Sequence, residues 1–466
     1  MLGPTMSAAF IKRFTQLFRP DLCQQLAKTH GWQKRRGKIC AFEFLYSLVF
    51  GQSSALALTL NAQAASLSQT VTRQAIDQRY TPAAVAFFKA AFAQGLQQTL
   101  EYQLDSPMSR LLQRGFGAIR LFDSTHCACA PALSTLFPAC GGGGGEAGLK
   151  VLLSYEYGRS QLQPLAVLPG KRSDQGLAGL VAEHVGANEL GIFDKGFYKA
   201  EPLRRIHQRG GYFLLPWPRS VSVWESAVGQ RQLLDVAAQL RATTAEAREW
   251  SQVELGQEVD ARLGPVRLLA YRLSPQSAAR CRAQVREKCR TYGRQPTAQA
   301  LELAGWLILL TNAPAQRLPL AAAAYLYRVR WQVELIFKQW KSVLRLQVLP
   351  STNENRVQCE VWARLLAAVL GFVWHQHAGA ACQTLHQREI SFLKLAKQLQ
   401  QHGQMLVRTL FLDRAGWEPL LRDLWKKALK LARKEHQKSR QTTWENLCTH
   451  WLDLLPTIGA NVNSMP

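Results

Sequence analysis

The segment Ala118-Ile119-Arg120-Leu121-Phe122-Asp123 decides the fold class. It is a short apolar run that reads as a strand and stops on a carboxylate. A second run of the same kind, Leu190-Gly191-Ile192-Phe193-Asp194, also ends on an aspartate. Between them, residues 149–157 and 161–168 read as two strands joined by a turn at Gly158. Ser173 and Asp174 then cap a helix that carries Leu177, Leu180 and Val181. A helix near 202–208 and a strand at 211–215 follow. Strands alternating with helices in this way predict a mixed α/β sheet core.

On the N-terminal side, residues 1 to about 110 read as helical. Apolar side chains recur at three and four in Phe42, Leu45, Tyr46, Val49 and Phe50, and again in Val85, Phe88, Phe92 and Leu96. On the C-terminal side the pattern is irregular from about 217 to 300, with strands expected at 253–255 and 266–273 as a sheet inserted in the core. Arg280, Arg282, Arg286, Lys288, Arg290 and Arg294 then make a dense basic segment. A strand at 306–310 precedes a single long helix from about 320 to 346, and everything beyond Pro350 looks helical. A run of glycines at 141–145 reads as a flexible loop.

The 466 residues exceed what one compact core holds. Lys and Arg number 57 against 32 acids, a formal net charge of +25. Such an excess favours a polyanion, because every phosphate contact releases condensed counterions. The basic cluster of residues 33–38 and the stretch 426–440 add to it. No uninterrupted apolar run reaches the ~18 residues that span a bilayer, and residues 1–18 lack the apolar core of a signal peptide. Nucleic acid is therefore the expected partner, in a cytosol. Ten cysteines without framework spacing read as reduced thiols. His126, Cys127, Cys129 and Cys140 have the wrong spacing for a zinc knuckle.

The strongest local signal is Tyr327, Arg330, Glu334 and Lys341, spaced i, i+3, i+7 and i+14. On one continuous helix these fall within roughly 60° of one another. Leu326, Val333 and Phe337 form an apolar side directly beside them, which puts the polar stripe at the edge of a core. Cations there grip phosphate oxygens while the phenol donates a hydrogen bond.

The spacing Y-x-x-R-x-x-x-E-x-x-x-x-x-x-K resembles the signature of bacterial insertion-sequence transposases of the DDE superfamily, in the group called insertion-sequence-four. Asp123-Ser124-Thr125 is similar to the context of that family's first acid, and Asp194-Lys195-Gly196-Phe197-Tyr198 to that of its second. The stretch from Gly305 and Trp306 to Thr311 and Asn312 is similar to its Trp-bearing strand. The resemblance implies an α/β fold with an RNase H-like core at 111–350, carrying a β-rich insertion at about 217–300. A helical DNA-binding domain at 1–110 and a helical domain at 351–466 would flank it.

It also implies that Asp123, Asp194 and Glu334 are the catalytic acids and hold two divalent ions, Mg²⁺ or Mn²⁺. Tyr327, Arg330 and Lys341 would hold the transposon-end strand. Trp306 would stack on a base swung out during hairpin formation, although a core Trp in a buried strand explains it equally well. Trp331 and Trp340 read as packing residues. The implied partners are double-stranded DNA, as terminal inverted repeats and target, and a second copy of the chain in a synaptic dimer. Two rival readings are an RNase H-like nuclease without strand transfer and a non-catalytic DNA binder derived from a transposase.

Overall fold

A computed structural model describes residues 19–35, 37–51, 59–100, 112, 115–141, 145–227, 230–258, 262–412 and 417–434. The N-terminal 18 residues, Arg36 of the basic cluster, the middle of the glycine run and the basic tail at 435–440 lie outside the described residues. The chain begins with helices α1 (Pro20–Thr29), α2 (Ala41–Gly51), α3 (Leu60–Ala65), α4 (Arg73–Asp77) and α5 (Pro82–Leu100). Next come β1 (Ala118–Cys129), β2 (Gly148–Glu156), β3 (Gln161–Pro169), α6 (Asp174–Glu183), β4 (Glu189–Ile192), α7 (Ala200–Gln208) and β5 (Tyr212–Pro216). A β-rich segment supplies β6 (Val223–Ala227), β7 (Gln230–Leu233), α8 (Val236–Arg241), β8 (Ala247–Leu255) and β9 (Leu263–Arg272). It is followed by α9 (Pro275–Thr291), α10 (Ala298–Leu303), β10 (Trp306–Thr311), α11 (Leu320–Arg328), α12 (Trp331–Ser342) and β11 (Val348–Leu349). Helices α13 (Glu354–His386), α14 (Phe392–Leu412) and α15 (Trp417–Leu431) close the described chain.

The chain forms two compact units, each built from separated segments. The first holds the described residues of 1–109, 124–172 and 332–440. In it α13 packs along α5 and α2, and α14 packs on α2. Aromatic side chains fill that core: the Trp32 ring lies 5.0 Å from Phe44 and 5.6 Å from Phe87, and its indole N–H donates to the Arg79 carbonyl at 3.1 Å. By length and composition α13 could cross a membrane, contrary to the sequence reading, but 78% of its most apolar window is buried inside protein. That is the pattern of a core helix. The strand order in this unit is β3-β2-β1, with β2 and β3 antiparallel and β11 added parallel to β1 at Ala128 and Cys129.

The second unit holds the described residues of 110–123 and 173–331. Its strand order is β1-β4-β5-β10-β9-β8-β6-β7. β1, β4 and β5 are parallel, β10 is antiparallel to both of its neighbours, and β6 to β9 pair antiparallel. The orders 3-2-1 and 1-4-5, with β1 divided between the units, are those of an RNase H-like core.

Two expectations are corrected. β1 does not stop at Asp123 but continues to Cys129, because Thr125, Cys127 and Cys129 are buried in alternation with half-buried Ser124, His126 and Ala128. That period of two keeps the segment extended. The single helix expected over 320–346 is two helices, ending at Arg328 and restarting at Trp331. The amides of Val329 and Arg330 donate to Leu326 and Tyr327, three residues back, which tightens the turn and ends the α pattern.

Candidate active site

Register brings two acids together in the second unit. Ala118 lies opposite Glu189 and Leu121 opposite Ile192 on the parallel pair β1 and β4, so Asp123 and Asp194 each lie two residues past the last pair. Adjacent strands run about 4.8 Å apart, and residues an equal step on emerge at the same edge. The residues before the acids reinforce this: the rings of Phe122 and Phe193 stack, 5.1 Å between centroids and 18° between planes. Asp194 also caps the one-turn 3-10 helix Lys195–Phe197, accepting from the Gly196 amide at 3.4 Å.

Arg330 faces this pair. Its Nη1 donates to Asp123 Oδ2 at 3.3 Å, with both side chains less than a fifth exposed. Its Cζ lies 5.9 Å from the centre of the Tyr327 ring. Burial pushes the Tyr327 phenol up to about 12; Arg330 opposes the shift, while Asp194 and Asp123 add to it. Two carboxylates, a guanidinium and a phenol thus share one electrostatic neighbourhood.

Strands behind the site hold the approach to α11. Buried Arg267 on β9 donates through Nη1 to the carbonyls of Ala313 and Leu318, 2.8 Å each, and through Nε to Glu249 at 2.7 Å. The Tyr271 hydroxyl donates to the Leu320 carbonyl at 2.6 Å. The Thr311 hydroxyl donates to the Phe213 carbonyl, and Asn312 accepts from the Phe213 amide while donating to the Gly211 carbonyl. The Thr-Asn pair that marked this strand in the sequence is therefore a clamp between β10 and β5. Sequence reading missed Arg267 and Tyr271, which sit in an otherwise ordinary strand pattern.

Glu334 and Lys341 lie on α12, in the first unit, seven residues apart and hence on one face, both half-buried. Lys341 acts on His126 of β1: burial first, then Lys150 and Lys341, hold that imidazole below its usual range. The ring fills a slot walled by glycines, because a Cβ on Gly148 or Gly170 would strike its Nε2. Cationic neighbours make a poor setting for a bound metal cation, and burial pushes the Cys127 and Cys129 thiols up to about 12 and about 11.

Three tryptophans were assigned from sequence, and one assignment fails. Trp340 is fully buried, as expected of a packing residue. Trp306 is 4% exposed, with the Arg272 guanidinium 4.5 Å over its ring. Trp331, read as packing, is 57% exposed, because the break at residues 329–330 turns the first position of α12 to solvent.

Asp123 and Asp194 offer hard oxygen donors, the chemistry Mg²⁺ and Mn²⁺ prefer. The guanidinium on Asp123 occupies one lone pair that a cation would use. Among the described residues, no three His, Cys, Asp or Glu side chains are gathered as a metal cluster. The donor types fit a divalent ion, and the aspartate pair is the part of the set this unit assembles.

The strand order is RNase H-like, and two aspartates emerge side by side at one edge of it. The family model described as the transposase DDE domain matches residues 114–370, more than half of the chain. Along its length the chain is similar to the transposase for insertion sequence element IS231F of Bacillus thuringiensis subsp. israelensis, 23% identical over 456 residues and covering 94% of each. It is similar to the transposase for IS1151 of Clostridium perfringens, 22% identical over 420 residues, 86% of this chain and 87% of that one. Over a shorter stretch it is 31% identical to the putative transposase InsL of IS186A from Escherichia coli (strain K12), covering 40% of this chain and 50% of that one. A solved structure, a piggyBac transposase synaptic complex with hairpin DNA, aligns over 96% of this chain and 85% of that one, at 11% identity and a TM-score of 0.46. The chain belongs to the DDE-domain transposases of bacterial insertion sequences, enzymes that act on DNA phosphodiester bonds and depend on divalent metal.

Proposed function

We propose that the chain moves its insertion sequence by cut-and-paste. It cuts the transposon ends through a hairpin and joins them to target DNA as a homodimer on paired ends, in the bacterial cytoplasm and on nucleoid DNA. Asp123, Asp194 and Glu334 are the catalytic acids and the ligands of two Mg²⁺ or Mn²⁺ ions. Such ions activate the attacking oxygen and stabilise the leaving one. The observation that carries the reading is the register-matched pair Asp123 and Asp194 with Arg330 and Tyr327 beside it.

Each remaining role follows from a side chain's chemistry. Arg330 neutralises Asp123 and has a planar fork that suits a backbone phosphate equally well. The raised Tyr327 phenol keeps its proton through neutral pH and donates to a phosphate oxygen. Lys341 supplies a point charge to the end strand. Stacking of an extruded base on Trp306 requires Arg272 to leave the face it covers.

A donor duplex bearing the terminal inverted repeats, titrated with Mg²⁺, tests the scheme. Hairpin-ended fragments and joined products are expected from the parent chain, and neither from Asp123→Asn, Asp194→Asn or Glu334→Gln, with duplex binding retained. Nicked products that never join support the nuclease reading. Binding with no cleavage in any divalent metal supports the non-catalytic one.

A further inference from the structure

Most of the dense basic segment of the sequence lies on the exposed face of α9, with Arg294 just beyond its end. Ser274 caps this helix, accepting from the Ser277 amide at 3.3 Å, and Pro275 opens it. One side is anchored: Ala278 is buried, and Arg282 Nε donates to the Leu301 carbonyl at 3.2 Å. Arg280, Arg286, Lys288, Arg290 and Arg294 are exposed. The only acid from 275 to 294 is Glu287, and Arg290 pairs with it at 2.8 Å. Arg280, Arg286, Lys288 and Arg294 make no side-chain hydrogen bond or ion pair with another described residue. Four cations are thus held out to solvent with no ion-pair partner among the described residues.

Topology sets which edge of the sheet the segment leads to. β10 runs antiparallel to β5 with Leu309 opposite Pro216, the last residue of β5, so Trp306 lies beyond that end. β5 is parallel to β4, whose far end delivers Asp194. The α9–α10 connection therefore enters the sheet at the edge that carries the aspartates.

We propose that α9, with Arg294 in the turn after it, is the docking surface for the target duplex, held by its phosphates. The inference rests on the proposed function and adds to it the surface that receives the second DNA. At about 100° per residue, Arg286, Arg280 and Lys288 fan over roughly 200° of the helix. That spread reaches phosphates on both sides of a groove and concentrates nothing on base edges, so the grip is independent of sequence. Terminal repeats must be told apart by sequence; a target need not be.

The test is the full chain with Arg280→Gln, Arg286→Gln, Lys288→Gln and Arg294→Gln together. All four are exposed, so an unchanged melting temperature is expected and is checked first. Cleavage of a terminal-repeat donor should stay within about twofold of the parent, while transfer of pre-cut ends into plasmid falls about tenfold or more. Binding of a random-sequence duplex without metal should weaken, with a log–log salt slope shallower by roughly 3 to 4. Transfer and random-duplex binding equal to the parent overturn the proposal. So does a loss of donor cleavage parallel to the loss of transfer, because the helix then grips the transposon end. A parent chain that cuts nothing sinks the proposed function, while the metal-free binding comparison still decides what α9 holds.

Discussion

Arg330 sits between an acid of its own protein and the phosphate it is proposed to hold, and only a guanidinium serves both geometries. Arg330→Lys keeps the charge and loses the fork, so cleavage of a terminal-repeat duplex should fall about tenfold or more with little change in melting temperature. Asn at position 123 or 194 keeps the shape and removes a charge, and should cost at least about a hundredfold in cleavage rate with duplex binding retained. Tyr327 makes a pH prediction. Its folded phenol ionises near 12, above the ~10 of an unfolded tyrosine, so its contribution to stability is complete below pH 10 and lost as pH climbs towards 12. Denaturant titrations across that window should show a steeper alkaline loss for the parent than for Tyr327→Phe. All four of these residues were legible in the sequence, because carboxylates at apolar strand ends and a Tyr-Arg-Glu-Lys spacing are local patterns. The exposure of Trp331 was not, since it follows from a break in the helix that spacing alone does not reveal.

Helices α11 and α12 show why that break was hidden. Their apolar positions continue with one period through residues 326, 333 and 337, so nothing in the pattern marks the two tightened turns at Val329 and Arg330. Likewise β1 was cut short at its first carboxylate, although alternation of burial continues to Cys129. The strand set itself was readable to within a few residues for β2, β3, β4, β5 and β10, where apolar runs are bounded by turn residues. Arg267 gives an element-scale prediction. Arg267→Ala leaves Glu249 without its partner and frees the 313–318 loop that leads into α11, so stability should drop by about 3–5 kcal/mol in urea unfolding. The glycine slot around His126 gives another: Gly148→Ala should destabilise the fold, and His126→Ala in the same chain should recover part of the loss by removing the ring it strikes.

For the whole molecule, the net charge of +25 announced a polyanion partner before any element was placed. Removing divalent ions with a chelator should abolish cleavage and leave duplex binding in place, the binding falling steeply as salt rises. The division of the chain into units was not legible, because each is assembled from segments far apart in sequence. α5 and its partner α13 belong to one unit, with Phe92 and Trp362 5.3 Å apart, yet hundreds of residues emerge between them. On the ribosome, Phe92 must therefore wait without its Trp362 partner until the late helices are synthesised, while Phe87 and Phe88 already have Trp32 and Phe44 beside them. A product cut off before α13 never closes that core. A chain released before Glu354 should therefore aggregate on refolding where the full chain does not, a difference that light scattering would show.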